Sequence, residues 1–477
     1  MQQLTGSDSF FLYCDKPGKH QHISMINIYD QSTAEGGFLR FKTILNHIRE
    51  RLGASRIFRQ RLVNVPLNLD YPYWIEDPDF DLEYHVRHIA LPKPGDWRQF
   101  CIQVSRLNSR MLDMTRPVWE MYVIEGLDNT GIFPKGSFAI MTKIHHAAVD
   151  GVSGAEITML LHDLEPNPEK VHFQDNWRPD PVPGIPELIL RSGYNNTARV
   201  VGTASTLLGK IPGLGASAWK MVSSIGTEPE PKEEKAPVTL FSQPLSPHRT
   251  WDACFFSLEE IKQIKNSVAG TTINDVVLTI CGGAMVEYLS RKDAVPESSL
   301  WALVPINVRN EKEKGQAGNH VYLARANLET QIRAPLDRLR AVAKRMQKLK
   351  KMNAVSAREM TDFQSHLPAA TLALATRTAS AGFGPGKDFR ASHNMVVTNV
   401  PGPQQPLYLC GAKLLTLSGM APLVDHLTMS HVVTSYDGEL VIAPHSDRRL
   451  LPDPEMYAEC IVHVFEDLKA AAKSNTA

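Results

Sequence analysis

The chain has 477 residues, which is more than one compact core usually holds, so we predict two domains. Lysine plus arginine and aspartate plus glutamate number 51 each, and this balance argues against a nucleic-acid-binding protein. The six cysteines form no C-x-x-C pair and no apolar run approaches the ~20 residues that span a bilayer, so we predict no zinc site, no disulfide framework, no membrane span and no secretory signal.

The chain up to residue 178 has the pattern of a mixed α/β domain. Segments 10–15 and 23–29 carry strand-like apolar patches, and segment 38–52 has apolar residues on one helical face. A mostly apolar strand is predicted over 138–144, and helical spacing follows over 152–164.

Two adjacent histidines lie between that strand and that helix. They open a seven-residue stretch that contains His145, His146, Asp150 and Gly151. Neutral imidazole can accept a proton near neutral pH, which favours a general base, while Asp150 would hold the loop and Gly151 would permit a tight turn. In the alternative interpretation one histidine is a core residue and Asp150 only caps the following helix. No third ligand stands nearby, so a metal site is less favoured.

The composition changes between residues 179 and 245, which we predict to be a linker. Prolines open it, a Gly/Ala/Ser-rich apolar stretch with a few basic residues follows, and segment 228–237 is rich in Pro, Glu and Lys. The stretch 185–226 is either a peripheral contact with a membrane or lipid droplet, or a segment packed across both domains.

The remainder, from 246, has the elements of a second domain. Helix 257–268 begins with a capping-box pattern, and a second helix begins at 272, where Asn274 or Asp275 would act as N-cap if they have no other role. The other predicted elements are a strand over 251–256, strands over 303–309 and 393–400, a basic helix over 336–352 and a hairpin over 427–443 with an Asp437-Gly438 turn. The basic helix is either a solvated face or a contact for anionic groups of CoA or lipid.

The stretch from His145 to Gly151 matches the HHxxxDG motif of CoA-dependent acyltransferases and peptide-synthetase condensation domains. Four more segments occur in the same order as in one family: 116–120 (RPVWE), 272–278 (TINDVVL), 303–309 (LVPINVR) and 398–403 (TNVPGP). Together they make the chain similar to the bacterial wax ester synthase/diacylglycerol acyltransferase family over nearly its whole length.

The resemblance implies a fold and a division of the chain. The expected fold is α/β, with two chloramphenicol-acetyltransferase-like or condensation-domain-like mixed-sheet domains joined by a linker and an active site in the interdomain channel. The expected domains are residues 1–178, which carry HHxxxDG, a linker at 179–245, and an acyltransferase-like domain at 246–477.

The implied reaction moves a long acyl chain from acyl-CoA to a fatty alcohol or diacylglycerol. His146 would be the general base, His145 would support the loop, Asp150 would orient it, and Gly151 would let the helix begin close by. No cofactor and no metal are expected, with acyl-CoA as co-substrate. The expected location is the cytoplasm, with a peripheral position on the membrane or on lipid droplets as a further option.

The resemblance also suggests roles for residues outside the motif. Arg59, or failing that Arg61, would pair with Asp150, as an arginine does in condensation domains. Asn274 is a candidate contact to substrate or oxyanion, and its neighbour Asp275 is expected to be structural. Trp119 is expected to be a packing anchor.

Three alternatives remain open at this stage. A condensation-type enzyme would use a carrier-protein thioester and an amine. A plant-type alcohol acyltransferase would carry a late Phe-Gly-Trp motif, which is not found here. A non-catalytic lipid-binding relative would keep the scaffold but would not need the histidine pair.

Overall fold

The computed structural model describes residues 1–149, 154–168, 177–197, 199, 235–307, 321–353, 369, 373 and 393–476. Within these residues it is a mixed α/β fold with sheets of six, seven and three strands. The strands are β1 (Gln2–Gln3), β2 (His22–Asp30), β3 (Gln60–Val63), β4 (Tyr73–Glu76), β5 (Val86–Ala90), β6 (Trp119–Leu127), β7 (Ser137–His145), β8 (Arg249–Trp251), β9 (Cys254–Ser257), β10 (Trp301–Asn307), β11 (Val321–Asn327), β12 (Met395–Pro401), β13 (Tyr408–Leu409), β14 (Ala412–Met420), β15 (Met429–Tyr436) and β16 (Glu439–Asp447). The helices are α1 (Gly6–Cys14), α2 (Phe41–Arg51), α3 (Leu82–His85), α4 (Trp97–Asn108), α5 (Gly154–Leu161), α6 (185–197), α7 (Leu258–Asn266), α8 (Ile273–Ser290), α9 (Pro335–Asn353) and α10 (Pro454–Thr476).

The six-stranded sheet has the order β13-β14-β2-β7-β6-β5. Strand β7 lies between β2 and β6, antiparallel to both, and every one of its residues is buried. The strands predicted over 23–29 and 138–144 and the helix predicted over 38–52 are confirmed as β2, β7 and α2. The histidine pair therefore lies at the end of an inner strand, with β2 on one side and β6 on the other.

The strand-like assignment of residues 10–15 is wrong, because this segment belongs to helix α1. The hydroxyl oxygen of Thr5 accepts a hydrogen bond from the backbone N–H of Asp8, which satisfies one of the free donors at the helix start. This cap and the packing of the helix outweigh the apolar run that resembled a strand.

The seven-stranded sheet has the order β11-β10-β12-β15-β16-β8, with β9 also paired to β16. Helices α8 and α10 cover it with the largest buried apolar cluster of the described residues. The predicted hairpin is confirmed as β15–β16, and its turn residues Asp437 and Gly438 have φ of 41° and 85°, which glycine adopts without strain.

Strands from the two ends of the chain meet in the first sheet. Strand β14 pairs with β2, so that Gly419 lies opposite Met25. A Cβ atom at Gly419 would lie 2.8 Å from the carbonyl oxygen of Ser24, so this close strand approach requires glycine. The sheet around the histidine pair is thus completed by residues from the last third of the chain.

The helices over the described ranges are too short or too polar to cross a bilayer.

Candidate active site

The histidine pair lies where β7 ends and a 3-10 turn, His146–Ala148, begins. The backbone N–H of His145 donates to the carbonyl oxygen of Val118 at 2.9 Å, next to the start of β6. The backbone N–H of His146 donates to the carbonyl oxygen of Gln21 at 2.8 Å, next to the start of β2. Both neighbouring strands therefore fix the backbone of the pair.

The side chain of His145 is 1% exposed and faces the protein interior. Its Nδ1 accepts a hydrogen bond from the backbone N–H of Ala147 at 3.1 Å. Because Nδ1 is an acceptor, the proton of the neutral ring resides on Nε2, which lies 3.5 Å from Oδ2 of Asp15. The side chain of His145 thus bonds to the backbone of the turn, and its supporting role stays a prediction.

The ring of His146 is partly buried and lies flat on the ring of Phe11. The two ring centroids are 3.8 Å apart and the ring planes differ by 16°. Burial and then the neighbouring His145 lower the pKa of His146 to about 4, and a hydrogen bond to its own backbone opposes this shift. The ring is therefore neutral at pH 7 and can accept a proton.

Asp150 and Gly151 lie outside the described residues, so their predicted roles stay predictions. The expected partner of Asp150, Arg59, is buried at 9% exposure. Its guanidinium lies over the rings of Phe80, at 5.8 Å, and Trp177, at 5.2 Å. A guanidinium kept in such surroundings is expected to face a carboxylate, since burying a charge without a partner is costly.

Two other residues singled out from the sequence are engaged in an ion pair and in packing. The guanidinium Nε of Arg61 lies 3.2 Å from Oδ1 of Asp77, so this alternative partner for Asp150 already has a carboxylate. Trp119 is 1% exposed, donates from Nε1 to the carbonyl oxygen of Phe58 at 3.0 Å and stacks on His85 at 4.6 Å. These contacts are those of a packing anchor.

Asn274 and Asp275 lie in the first turn of α8. The expectation that one of them is the N-cap is wrong, because Thr272 has the extended cap conformation and its side chain accepts from the N–H of Asp275. Asp275 completes a capping box by accepting from the backbone N–H and the hydroxyl of Thr272, both at 2.8 Å. Across the described residues, no hydrogen bond or ring contact joins Asn274 to His146, and its oxyanion role stays a prediction.

A buried ion pair lies two residues before His145 on β7. Lys143 is fully buried, donates from Nζ to the carbonyl oxygen of Arg110 at 2.7 Å, and lies 3.6 Å from Oε2 of Glu120. Burial lowers the pKa of Lys143 to about 8, against the opposing effect of Glu120. Because side chains two apart on a strand share a face, this pair helps to fix the register of β6 and β7 beside the histidines.

Three residues next to the pair were not singled out from the sequence: Phe11, Asp15 and Gln21. They contact the pair although they lie more than a hundred residues before it in the chain. The Thr5-x-x-Asp8 spacing was the one local sign that α1 is a helix, and nothing local indicates that it packs on the histidines.

In the parts of the chain that the structure describes, no three His, Cys, Asp or Glu side chains are grouped so as to hold a metal ion. The absence of a cofactor remains a prediction.

Comparison with known sequences links the chain to one family. The profile of the wax ester synthase/diacylglycerol acyltransferase catalytic domain matches residues 4–277, and that of the corresponding C-terminal domain matches residues 317–469. A putative diacylglycerol O-acyltransferase of Mycobacterium tuberculosis (strain CDC 1551 / Oshkosh) is 31% identical over 449 residues, covering 93% of this chain and 94% of that protein. The probable diacylglycerol O-acyltransferase tgs2 of strain ATCC 25618 / H37Rv is 28% identical and covers 99% of both chains.

Comparison with solved structures confirms the predicted α/β fold of the condensation-domain type, while the interdomain channel stays a prediction. A wax ester synthase/diacylglycerol acyltransferase from Marinobacter aquaeolei VT8 is 26% identical, with a TM-score of 0.70 over 99% of this chain and all of that one. The first condensation domain of the CDA synthetase shares the fold at 13% identity, with a TM-score of 0.54 over 99% of this chain and 97% of that one.

Proposed function

Because the chain belongs to the wax ester synthase/diacylglycerol acyltransferase family, and is thereby an acyl-CoA-dependent O-acyltransferase, we propose that His146 is its general base. The observation that carries this proposal is the state of the His146 ring. The ring is neutral at pH 7, partly exposed and stacked on Phe11, and backbone hydrogen bonds to both neighbouring strands fix the main chain that carries it. A base must be unprotonated and positioned before the reaction starts, and this ring meets both conditions.

The reaction proceeds by direct transfer. The alcohol oxygen attacks the thioester carbonyl carbon while His146 takes the hydroxyl proton, which makes the oxygen a sufficient nucleophile. The tetrahedral intermediate then breaks its C–S bond, and CoA leaves as a thiolate that receives the proton from His146. The products are an ester and free CoA, and the ring returns to its neutral form without an acyl-enzyme.

Because the pKa of His146 is lowered, other groups of the site must stabilise its protonated form. A ring with a pKa of about 4 is a weak base, so its protonated form needs stabilisation during the reaction. The negative oxyanion forms at the same moment and supplies an opposite charge in a low-dielectric site, where such attraction is strong. Preorganised donors to that oxyanion are therefore essential, and we assign one of them to Asn274.

The other residues of the motif position the base. His145 fixes the turn through Ala147, Asp150 orients the loop through Arg59, and Gly151 lets the following helix start close to the base. The acyl donor is acyl-CoA and the acceptor is a fatty alcohol or a diacylglycerol, and both meet in the channel expected between the two domains.

A purified-protein assay tests the proposed acceptors. Palmitoyl-CoA is offered hexadecanol, a diacylglycerol and a long-chain amine in parallel, and both CoA release and lipid product are measured. We expect ester product and an equal amount of CoA with the alcohols. CoA release without ester, or product with the amine alone, would contradict the proposed reaction.

We further propose that helix α6 contacts a lipid surface, because the acyl chains of both substrates and products partition into lipid. Leu190 and Tyr194 lie four residues apart on one face of the helix and are each 77% exposed, whereas Leu188 of the same helix is 3% exposed and packs in the core. Such an exposed face binds bilayers when it can insert at the headgroup boundary.

Vesicle flotation tests the lipid contact. The double variant Leu190→Ser, Tyr194→Ser is compared with Leu323→Ser, which changes an equally apolar side chain of 55% exposure on β11. We expect the α6 variant to lose flotation with anionic phosphatidylglycerol vesicles while the β11 variant keeps it. Equal flotation of both variants would refute the contact.

A further inference from the structure

Helix α1 packs directly on the turn that carries His146. Phe11 forms the ring contact described above, and Phe11 and Leu12 pack on a small apolar cluster that includes Ala147 of the turn. A flat ring contact at 3.8 Å restricts rotation of the imidazole about its side-chain bonds, because a turned ring would collide with the face of Phe11. The helix therefore sets the orientation of the His146 ring as well as covering it.

Asp15, the residue that ends α1, reaches the same turn by a polar route. Its Oδ1 accepts a hydrogen bond from the backbone N–H of Gln21 at 3.2 Å, and its Oδ2 lies 3.5 Å from Nε2 of His145. The Nδ1 of His20 lies 3.9 Å from Oδ1 on the other side. The carboxylate side chain is 12% exposed, so these contacts lie largely out of solvent.

Gln21 and His145, the two residues beside Asp15, each form a hydrogen bond to the backbone of the turn. Gln21, whose N–H donates to Asp15, uses its carbonyl oxygen to accept from the backbone N–H of His146. His145, whose Nε2–H faces Asp15, uses Nδ1 to accept from the backbone N–H of Ala147. The Oδ2 atom of Asp15 lies 3.5 Å from Nε2 without a hydrogen bond between them, and its negative charge attracts a proton on Nε2. This attraction favours the tautomer that leaves Nδ1 free to accept, so the carboxylate stabilises the conformation of the turn.

We propose that Phe11 and Asp15 are positioning residues for His146, with Phe11 orienting its ring and Asp15 fixing its backbone through His145 and Gln21. The proposal rests on the proposed role of His146 as the general base. It predicts that the two residues affect the rate of the chemical step and not the binding of acyl-CoA, because neither is assigned a substrate contact.

Matched substitutions separate orientation from packing. Phe11→Leu keeps an apolar side chain but removes the flat ring, whereas Phe11→Tyr keeps the ring. We expect Phe11→Leu to lower kcat roughly tenfold with an unchanged KM for palmitoyl-CoA, since small errors in the placement of a reacting group cost one to two orders of magnitude. Phe11→Tyr should restore kcat to within about twofold of the parent protein. Phe38→Leu, which makes the same change at a ring that is 57% exposed and lies outside α1, is the control and should change neither constant.

Asp15→Asn tests the polar route with an isosteric, uncharged side chain. We expect kcat to fall roughly tenfold at constant KM for palmitoyl-CoA, while the thermal unfolding midpoint changes little. If Asp15→Asn and Phe11→Leu both lower kcat, raise KM and lower the thermal unfolding midpoint together, helix α1 has only a structural role and the proposal is overturned. Unchanged kcat in both variants would overturn it as well.

The His146→Ala variant, measured beside them, keeps the two proposals apart. If His146→Ala is inactive while Phe11→Leu and Asp15→Asn retain full kcat, positioning by α1 is wrong and the general base stands. If His146→Ala retains activity, the general base is wrong irrespective of what α1 does.

Discussion

A carboxylate lies directly after helix α1 and another lies in the first turn of helix α8, but the two contact different parts of the molecule. Asp275, in the first turn of α8, accepts two hydrogen bonds from Thr272 and so closes its own helix. Asp15, directly after α1, accepts from Gln21 and lies 3.5 Å from His145, and both of these residues bond to the backbone of the histidine turn. The same chemical group thus closes a helix in one place and contacts the neighbours of the proposed general base in the other.

The difference follows from what surrounds each helix. Helix α8 is buried on nearly all sides by apolar residues of the second sheet, so a polar group at its start has only local partners. Helix α1 lies against the open end of the first sheet, where backbone groups of β2, the histidine turn and several imidazoles need partners.

The largest predicted change in stability concerns Arg59, the expected partner of a third carboxylate, that of Asp150. We predict that Arg59→Ala lowers the free energy of unfolding by about 3–5 kcal/mol, because the ion pair that the sequence predicts between Arg59 and Asp150 would lose one of its two charges. Urea denaturation of the purified variant measures this change. Adding Asp150→Ala to Arg59→Ala should recover part of the loss, since the unpaired charge is then removed as well.

The control for Arg59 is Arg56, whose side chain is 61% exposed and pairs with Glu76 at 3.0 Å. An exposed pair of this kind contributes at most about 1 kcal/mol, so Arg56→Ala should be nearly neutral. If Arg59→Ala is as mild as Arg56→Ala, the predicted pair with Asp150 does not exist.

A pH titration of stability probes the imidazoles buried around β2 and in the second sheet. Burial lowers the pKa of His162 and His431 to about 4 and that of His445 to about 3. An unfolded histidine titrates near ~6.5, so between these values the unfolded chain binds more protons than the folded one. Stability is therefore complete above pH ~6.5 and is lost as the pH falls towards 4, by at most about 2 kcal/mol per ring at pH 5.

We predict a lower urea midpoint at pH 5 than at pH 7.5, and a smaller difference in the variant His162→Gln. That side chain lies against Tyr29 of β2, whose hydroxyl is 2.7 Å from its Nε2, and glutamine can keep a hydrogen bond there without titrating. The same pH dependence in the parent protein and the variant would show that His162 is not buried in its neutral form.

The smallest predicted change in stability concerns Asp275, the carboxylate in the first turn of α8. Asp275→Ala should lower the free energy of unfolding by about 1 kcal/mol, because it removes half of a capping box, and should leave kcat unchanged. Denaturation and the palmitoyl-CoA assay, run on the same preparation, measure the two quantities. A loss of kcat without a loss of stability would place Asp275 in the chemistry and erase its contrast with Asp15.

Elements with strong local patterns could be predicted from the sequence. Strand β7 is a mostly apolar run, α8 is preceded by a cap and is long and apolar, and the Asp437-Gly438 turn specifies its hairpin. The histidine pair could be placed at a strand end for the same reason, and the motif that contains it indicated the family.

The surroundings of the pair could not be predicted in this way. Helix α1 was assigned as a strand because Phe10, Phe11 and Tyr13 favour strands locally, and its packing on the turn overrides that preference. The pairing of β14 with β2 joins residues almost four hundred positions apart, which no local periodicity encodes. The contacts of Phe11, Asp15 and Gln21 with the histidine pair are of this long-range kind, so the sequence could indicate a candidate base but not the residues that surround it.

The measurement that tests the account most directly is the turnover of His146→Ala with palmitoyl-CoA and hexadecanol, followed as wax ester formed by the purified, folded variant. Removing a general base should lower kcat by more than ~10²-fold while the unfolding midpoint stays near that of the parent protein. Turnover close to that of the parent protein would contradict the assignment of His146 and, with it, the mechanism built on it.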